Sequence, residues 1–393
     1  MKFNKYKLSH YFIFIASLII LLFVLPIKLF QKKNNKNIVL LYGHKLYGNL
    51  KSIYEKRDKI NSDVYYLTLD KEYYNLLKSK KINLLYGLNP KDVIKIVNCN
   101  IFICDHGLHF YKILINFKKI VFIDTNHGIP YHKDALQEVN YFAKFDEVWV
   151  MSEYHKSLYE KFNYSGRNIN ITGYGRLDNL IQFTNKNLTE KNQIINDLKA
   201  KYNLNFKKIV LLAPTWVHNQ KIYEDKKYPY NKLQFFEELS SIAFKEDFLL
   251  IYRPHMNDYI SEEVKNYISN SKNLVLKEFF NFTNTEDFMK LSDILITDWS
   301  SIALDFIVLD RPVLFLDVPN PFKHGVQDDA MFRFGEIVSQ NLLKDKISNY
   351  LNYPDLYFQN NKDQIEVKNK FHDIGLDGLS TDRYVKILNK YLS

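Results

Sequence analysis

Cysteine is nearly absent: Cys99 and Cys104 are the only two in 393 residues, and both sit among apolar neighbours. No metal-ligand spacing accompanies them, so they read as buried free thiols, not a disulfide or a zinc site. That usage fits a reducing compartment. There is no D-x-D triplet, a common anchor for divalent ions, and no G-x-x-x-x-G-K-[ST] phosphate loop, which argues against an ATPase. Internal repeats and low-complexity tracts are also missing.

The length predicts two domains of about 150–200 residues each. A hydrophobic content of 46% is enough for globular cores. The net charge of +10, from 54 Lys+Arg against 44 Asp+Glu, favours anionic partners such as a membrane surface or a phosphate-bearing substrate. A basic nucleic-acid-binding module would cluster its cations among stacking aromatics. Here the lysines are distributed and no RNA or DNA motif occurs, so no nucleic-acid partner is expected.

Tyr11 to Ile27 carries no charge, and lysines flank it on both sides. Its length reaches the lower bound of about 17 residues for a spanning helix, and no small-residue cleavage site comes after it. Residues 1–36 therefore read as an N-terminal membrane anchor and linker, either spanning or lying in the interface. The flanking charges slightly favour a cytoplasmic position for the C-terminal side of this segment.

Beyond the linker, short β-branched apolar runs alternate with helical patterns. The runs are Ile38–Tyr42, Val64–Thr68, Ile101–Cys104, Ile120–Ile123, Glu147–Met151 and Asn168–Thr172, then Lys208–Leu212, Phe248–Tyr252, Leu274–Lys277, Ile294–Thr297 and Val313–Leu316. Such alternation predicts α/β domains with doubly wound parallel sheets, divided here as residues 37–195 and 196–393. The stretch from Leu291 to Asp317 is the most informative: a strand, then Asp298-Trp299-Ser300-Ser301, then a helical pattern stopped by Arg311-Pro312, then a strand. Ligands in open α/β sheets bind beyond the carboxyl ends of strands, so the serine pair is a candidate anion site or a simple helix cap. Ala213-Pro214-Thr215-Trp216 and Arg253-Pro254-His255 come after other strands and belong on the same sheet edge.

These segments resemble the CDP-glycerol glycerophosphotransferase family, which builds teichoic-acid-type glycerol-phosphate chains. The family's I-T-D-Y-S-S, A-P-T-W/F and K-P-H have counterparts in the three loops just named. Its W-H-G-T-P-x-K matches His127-Gly128-Ile129-Pro130 with Lys133, although Asn126 replaces the tryptophan. Its G-x-P-R-x-D matches Arg176 and Asp178, with Gly175 for proline, and its closing D-G-x-x-x-x-R matches Asp377-Gly378 and Arg383. The likeness spans roughly residues 38–390.

The resemblance implies two Rossmann-like domains facing across a cleft, the glycosyltransferase-B arrangement. It implies attack by an acceptor hydroxyl on the β-phosphorus of CDP-glycerol, releasing CMP. His127 is then the expected base, and His255 the phosphate contact or acid for the leaving CMP. Thr215, Ser300 and Ser301 would bind the diphosphate, with Arg253, Asp298 and Asp305 as further donor-side residues. Lys133, Arg176 and Asp178 would lie toward the acceptor or the cleft. No metal site and no cofactor are required on this reading, though a loosely held Mg²⁺ is compatible with it. The expected partners are CDP-glycerol or a related CDP-polyol, a lipid-linked glycan acceptor and a membrane, with the domains on the cytoplasmic face. CDP-ribitol, or a nucleotide sugar in glycosyl transfer, is the alternative donor.

Overall fold

The structure is a computed structural model that describes residues 8–30, 37–116, 119–129, 144–161, 168–186, 188–215, 229, 232–255, 260–279, 284–322, 325–326 and 328–393. These residues form two compact units. The first takes the described residues between 8 and 129, 144 and 178, and 377 and 393; the second takes those between 179 and 376.

The first unit is built on a seven-stranded sheet in the order β3-β2-β1-β4-β5-β6-β7. Its strands are β1 (Ile38–Tyr42), β2 (Asp63–Thr68), β3 (Leu84–Tyr86), β4 (Ile101–Cys104), β5 (Val121–Asp124), β6 (Glu147–Val150) and β7 (Ile169–Ile171). Every neighbouring pair is parallel. The unbroken apolar runs of β1 and β4 are buried throughout, as strands covered on both faces must be. One face packs Leu40, Phe102, Phe122 and Val150; the other packs Val39, Ile101, Trp149 and, from the C-terminal helix Ser380–Leu392, Tyr384 and Leu388.

The second unit repeats the plan with a six-stranded parallel sheet in the order β10-β9-β8-β11-β12-β13. Its strands are β8 (Lys208–Leu212), β9 (Phe248–Tyr252), β10 (Leu274–Leu276), β11 (Ile294–Thr297), β12 (Val313–Leu316) and β13 (Glu336–Val338). Asp310 adopts a left-handed backbone (φ 50°), which ends the helical segment before Arg311 turns the chain into β12. The strand order reverses between β1 and β4 in one sheet and between β8 and β11 in the other. A crevice outside the strand ends opens at such points.

The N-terminal segment differs from its reading as an anchor. It forms a helix over Leu8–Phe30, but among the described residues no helix is long and apolar enough to cross a membrane. Instead Leu21 and Val24 are buried in the core of the first unit, and Phe14 packs on Phe110 at 5.8 Å between centroids. The opposite face stays apolar and open: Leu8, Phe12 and Phe23 are 71%, 65% and 76% exposed. A helix that buries one side in a protein core is held as an element of that domain.

Candidate active site

In the first unit, the loops after β1, β4 and β5 bring histidines together at the switch point. His127 lies just after β5, and its Nδ1–H donates to the backbone carbonyl of Asp105 at 2.9 Å. Only an N–H can satisfy a carbonyl oxygen, so the proton sits on Nδ1 and Nε2 presents a lone pair. His106 stacks on His127 with ring centroids 4.1 Å apart and planes within 11°. His44 lies against His106 at 4.3 Å, and His109 against His44 at 5.6 Å.

The loop carrying His127 is braced from several sides. Asn126 has φ 54°, a region asparagine tolerates and a bulky aromatic does not. Its backbone N–H donates to Asp124 Oδ1 at 2.7 Å, its amide donates to the Trp149 carbonyl at 3.1 Å, and its Oδ1 accepts from Tyr159 at 2.8 Å. These bonds and this backbone explain an asparagine at a position where the family motif carries tryptophan. Asn49 donates to the carbonyls of Thr125 and Asn126, each at 3.1 Å, and accepts from the Arg176 backbone at 3.2 Å. Arg176 in turn donates through Nη1 to the His127 carbonyl at 3.0 Å.

The electrostatics favour a neutral imidazole. Desolvation by the surrounding protein, reinforced by His106 and Arg176 and opposed by Asp105, moves the pKa of His127 down to about 4. The His127 side of the loop is nonetheless exposed to solvent. Nearby, burial raises the Asp124 carboxyl to about 7 and pushes the Cys104 thiol up.

In the second unit Asp298 lies fully buried just after β11, the strand that matches β4 in the sheet order. Its Oδ1 accepts from the backbone N–H groups of Thr215 at 2.7 Å and Trp299 at 2.6 Å, joining the loops after β8 and β11. Thr297 Oγ1 adds a bond to the Ala213 carbonyl at 2.7 Å. Trp299 is pinned by its indole N–H to the Val318 carbonyl at 3.0 Å and by the Arg333 guanidinium 4.5 Å over its ring. Ser300 is half-buried and Ser301 exposed at the head of the short helix Ile302–Phe306, with Asp305 half-buried on that helix. His255 is half-buried beyond the end of β9, on the same sheet edge.

The sequence-derived candidates thus separate by role. The structure brings Arg176 to His127, and Thr215, Asp298 and the serine pair to one edge of the second sheet. Asp298 braces loops from within the protein. Arg253 Nε donates to Thr285 Oγ1 at 3.2 Å, a tie to the helix Thr285–Leu291. Asp178, read as an acceptor or cleft residue, is buried and receives N–H bonds from Ser380 and Thr381 at 3.0 and 2.7 Å and the Thr381 hydroxyl at 2.6 Å. It clamps the C-terminal helix. Lys133 lies outside the described residues. Asp105, His106 and His44 are not among the sequence-derived candidates, although Asp105-His106-Gly107 ends a strand just as His127-Gly128 does. Among the described residues no group of three or more His, Cys, Asp or Glu side chains is placed to hold a metal ion.

Known proteins share much of this pattern. The chain is 29% identical over 212 residues to a teichoic acid glycerol-phosphate transferase of Staphylococcus aureus, a match covering 53% of this chain and 50% of the relative. It is 30% identical over 203 residues to a teichoic acid glycerol-phosphate primase of Bacillus spizizenii, covering 51% and 47% respectively. The chain therefore spans about half the length of these curated relatives. A solved structure of a variant of the wall teichoic acid polymerase TagF shares the fold, with a TM-score of 0.71 at 17% identity over 96% of this chain and 97% of that one. The model of the CDP-glycerol:poly(glycerophosphate) glycerophosphotransferase family matches residues 23–341, and the chain belongs to that family.

Proposed function

We propose that this protein transfers glycerol phosphate from CDP-glycerol to a hydroxyl of a lipid-linked or cell-surface, teichoic-acid-like acceptor and releases CMP. The observation that carries the reading is the fixed tautomer of His127, whose Nδ1–H is committed to Asp105 while Nε2 is left to accept. As the acceptor oxygen bonds to the β-phosphorus, its proton passes to Nε2 of His127, and the bond to the CMP oxygen breaks. Thr215, Ser300 and Ser301 meet the charge on the phosphoryl oxygens, with His255 donating toward the departing CMP and Asp305 binding ribose hydroxyls. Asp298 holds Thr215 and the serine loop in register for that task. No cofactor is required on this reading.

The open apolar face of the helix Leu8–Phe30 supports placement of the chain on the cytoplasmic surface of the cell membrane, near a lipid-linked acceptor. Vesicle co-sedimentation tests this. Phe12→Glu with Phe23→Glu should release the protein, and unchanged binding would refute the placement.

The activity is tested by incubating the purified chain with CDP-glycerol and a lipid-linked acceptor. Release of CMP with a product heavier by one glycerol phosphate is expected. Turnover with CDP-ribitol alone would reassign the donor, and release of CDP or UDP from nucleotide sugars would reassign the reaction. His127→Ala and His255→Ala should each slow turnover by about 10²-fold or more.

A further inference from the structure

Asp105 and His106 close β4, and neither takes a direct part in the transfer reaction. Yet this strand end fixes His127 in two directions. The Asp105 carbonyl accepts the hydrogen bond of Nδ1–H at 2.9 Å, which sets the imidazole within its plane. The His106 ring lies flat against it, 4.1 Å away and 11° from parallel, which sets the plane itself. His106 is held in turn: its Nδ1 donates to Asp105 Oδ1 at 2.7 Å. The carboxylate needs space beside β1, and Gly43 leaves it, since a Cβ there would stand 2.5 Å from Asp105 Oδ1.

We propose that Asp105 and His106 form the positioning pair for the base of the transfer reaction, Asp105 selecting the tautomer of His127 and His106 holding its ring plane. The inference rests on the assignment of His127 as that base. Neither residue takes the acceptor's proton, which moves to Nε2 of His127 as the new oxygen–phosphorus bond forms. Among the described residues, the ionisable groups around this imidazole are Asp105 and His106 after β4, His44 after β1, Asp124 and Cys104 on the adjoining strands, and Arg176 on the helix Gly175–Lys186. After desolvation, His106 is the largest influence pushing protonation of His127 to lower pH. A variant without an ionisable ring at 106 should therefore protonate His127 at higher pH.

The test uses the full chain and the variants His106→Ala and His106→Phe, assayed for CMP release across pH. His106→Ala should lose about tenfold or more in kcat, with KM for CDP-glycerol within about twofold, because a loosened base costs alignment, not ground-state binding. Its acidic limb should move toward higher pH. His106→Phe restores a flat ring without an ionisable nitrogen, so it should recover most of kcat while keeping the shifted limb. Wild-type kcat and limb in His106→Ala, or His106→Phe as slow as His106→Ala, would overturn the proposal. Imidazole ¹⁵N NMR of the substrate-free protein decides it independently of turnover. Wild type should show His127 as the Nδ1–H tautomer and His106→Ala a mixture; an Nε2–H tautomer in wild type would refute the pair. If no form releases CMP, the assigned activity fails while the NMR result still stands.

Discussion

Arg176 donates from Nη1 to the backbone carbonyl of His127 at 3.0 Å, while the backbone N–H of the same arginine donates to Asn49 at 3.2 Å. The arginine therefore acts on the loop that carries the imidazole. Removing it frees that carbonyl and takes away a cation that helps keep His127 unprotonated. Arg176→Ala should lower kcat by about tenfold, since a displacement of about 1 Å at a reacting group is costly, and should raise the pH of the acidic limb. Arg176→Lys keeps the charge without the fork and should be intermediate. Steady-state CMP release against pH reads both effects.

Asp298 makes a comparable brace in the second unit. Its Oδ1 alone accepts from Thr215 and Trp299, so loss of the carboxylate unties two loops. Asp298→Ala should raise KM for CDP-glycerol by about tenfold and lower stability by about 1–3 kcal/mol, as expected when buried N–H groups lose their acceptor. Asp298→Asn retains a carbonyl oxygen and should recover much of both. Donor titrations together with urea unfolding separate binding from folding. If Asp298→Ala binds donor normally, the loop register does not depend on this carboxylate.

The long apolar strands, the parallel sheets and the placement of motifs at strand ends were legible because continuous β-branched runs leave few alternatives. The short strands Leu84–Tyr86 and Glu336–Val338 were not, since each lies at a sheet edge with a single fully buried residue. The packing of Leu8–Phe30 was hidden for a related reason: an all-round apolar helix gives no sign of which face meets protein. Gly175 stands where the family motif carries proline. The structure shows its N–H donating to Tyr384 Oη at 3.0 Å, a bond proline could not make, with Ser52, Thr381 and Tyr384 where a Cβ would stand. Lys191 lies in a polar, charged stretch of the sequence, yet it is buried against Asp293 at 2.7 Å. Such partners come from distant strands, and local pattern carries no record of them.

Asp178 supplies both carboxylate oxygens to the start of the C-terminal helix, and Tyr384 on that helix stacks on Trp149 with centroids 4.5 Å apart. Asp178→Ala leaves buried N–H groups unsatisfied and should cost about 1–3 kcal/mol. Hydrogen exchange should rise first across Ser380–Leu392. Asp178→Asn, which keeps an acceptor, should lose less. If the alanine variant unfolds at the wild-type urea midpoint, the helix is held by apolar packing alone.

His155 links stability to pH. It is fully buried, accepts the Met151 backbone N–H on Nδ1 at 3.1 Å, and desolvation with the nearby Arg176 charge lowers its pKa to about 3. In the unfolded chain the same imidazole titrates near its ordinary value of about 6.5. Between those values the unfolded state binds a proton that the folded state refuses, so stability falls as pH falls. The contribution is complete above about pH 6.5 and is lost progressively toward pH 3. Urea midpoints measured from pH 7 to pH 4 should therefore decline in the wild type. His155→Gln, which offers Met151 an uncharged acceptor, should flatten that decline even if its midpoint at pH 7 is lower. An equally steep decline in the variant would show that other groups, not His155, make the fold sensitive to acid.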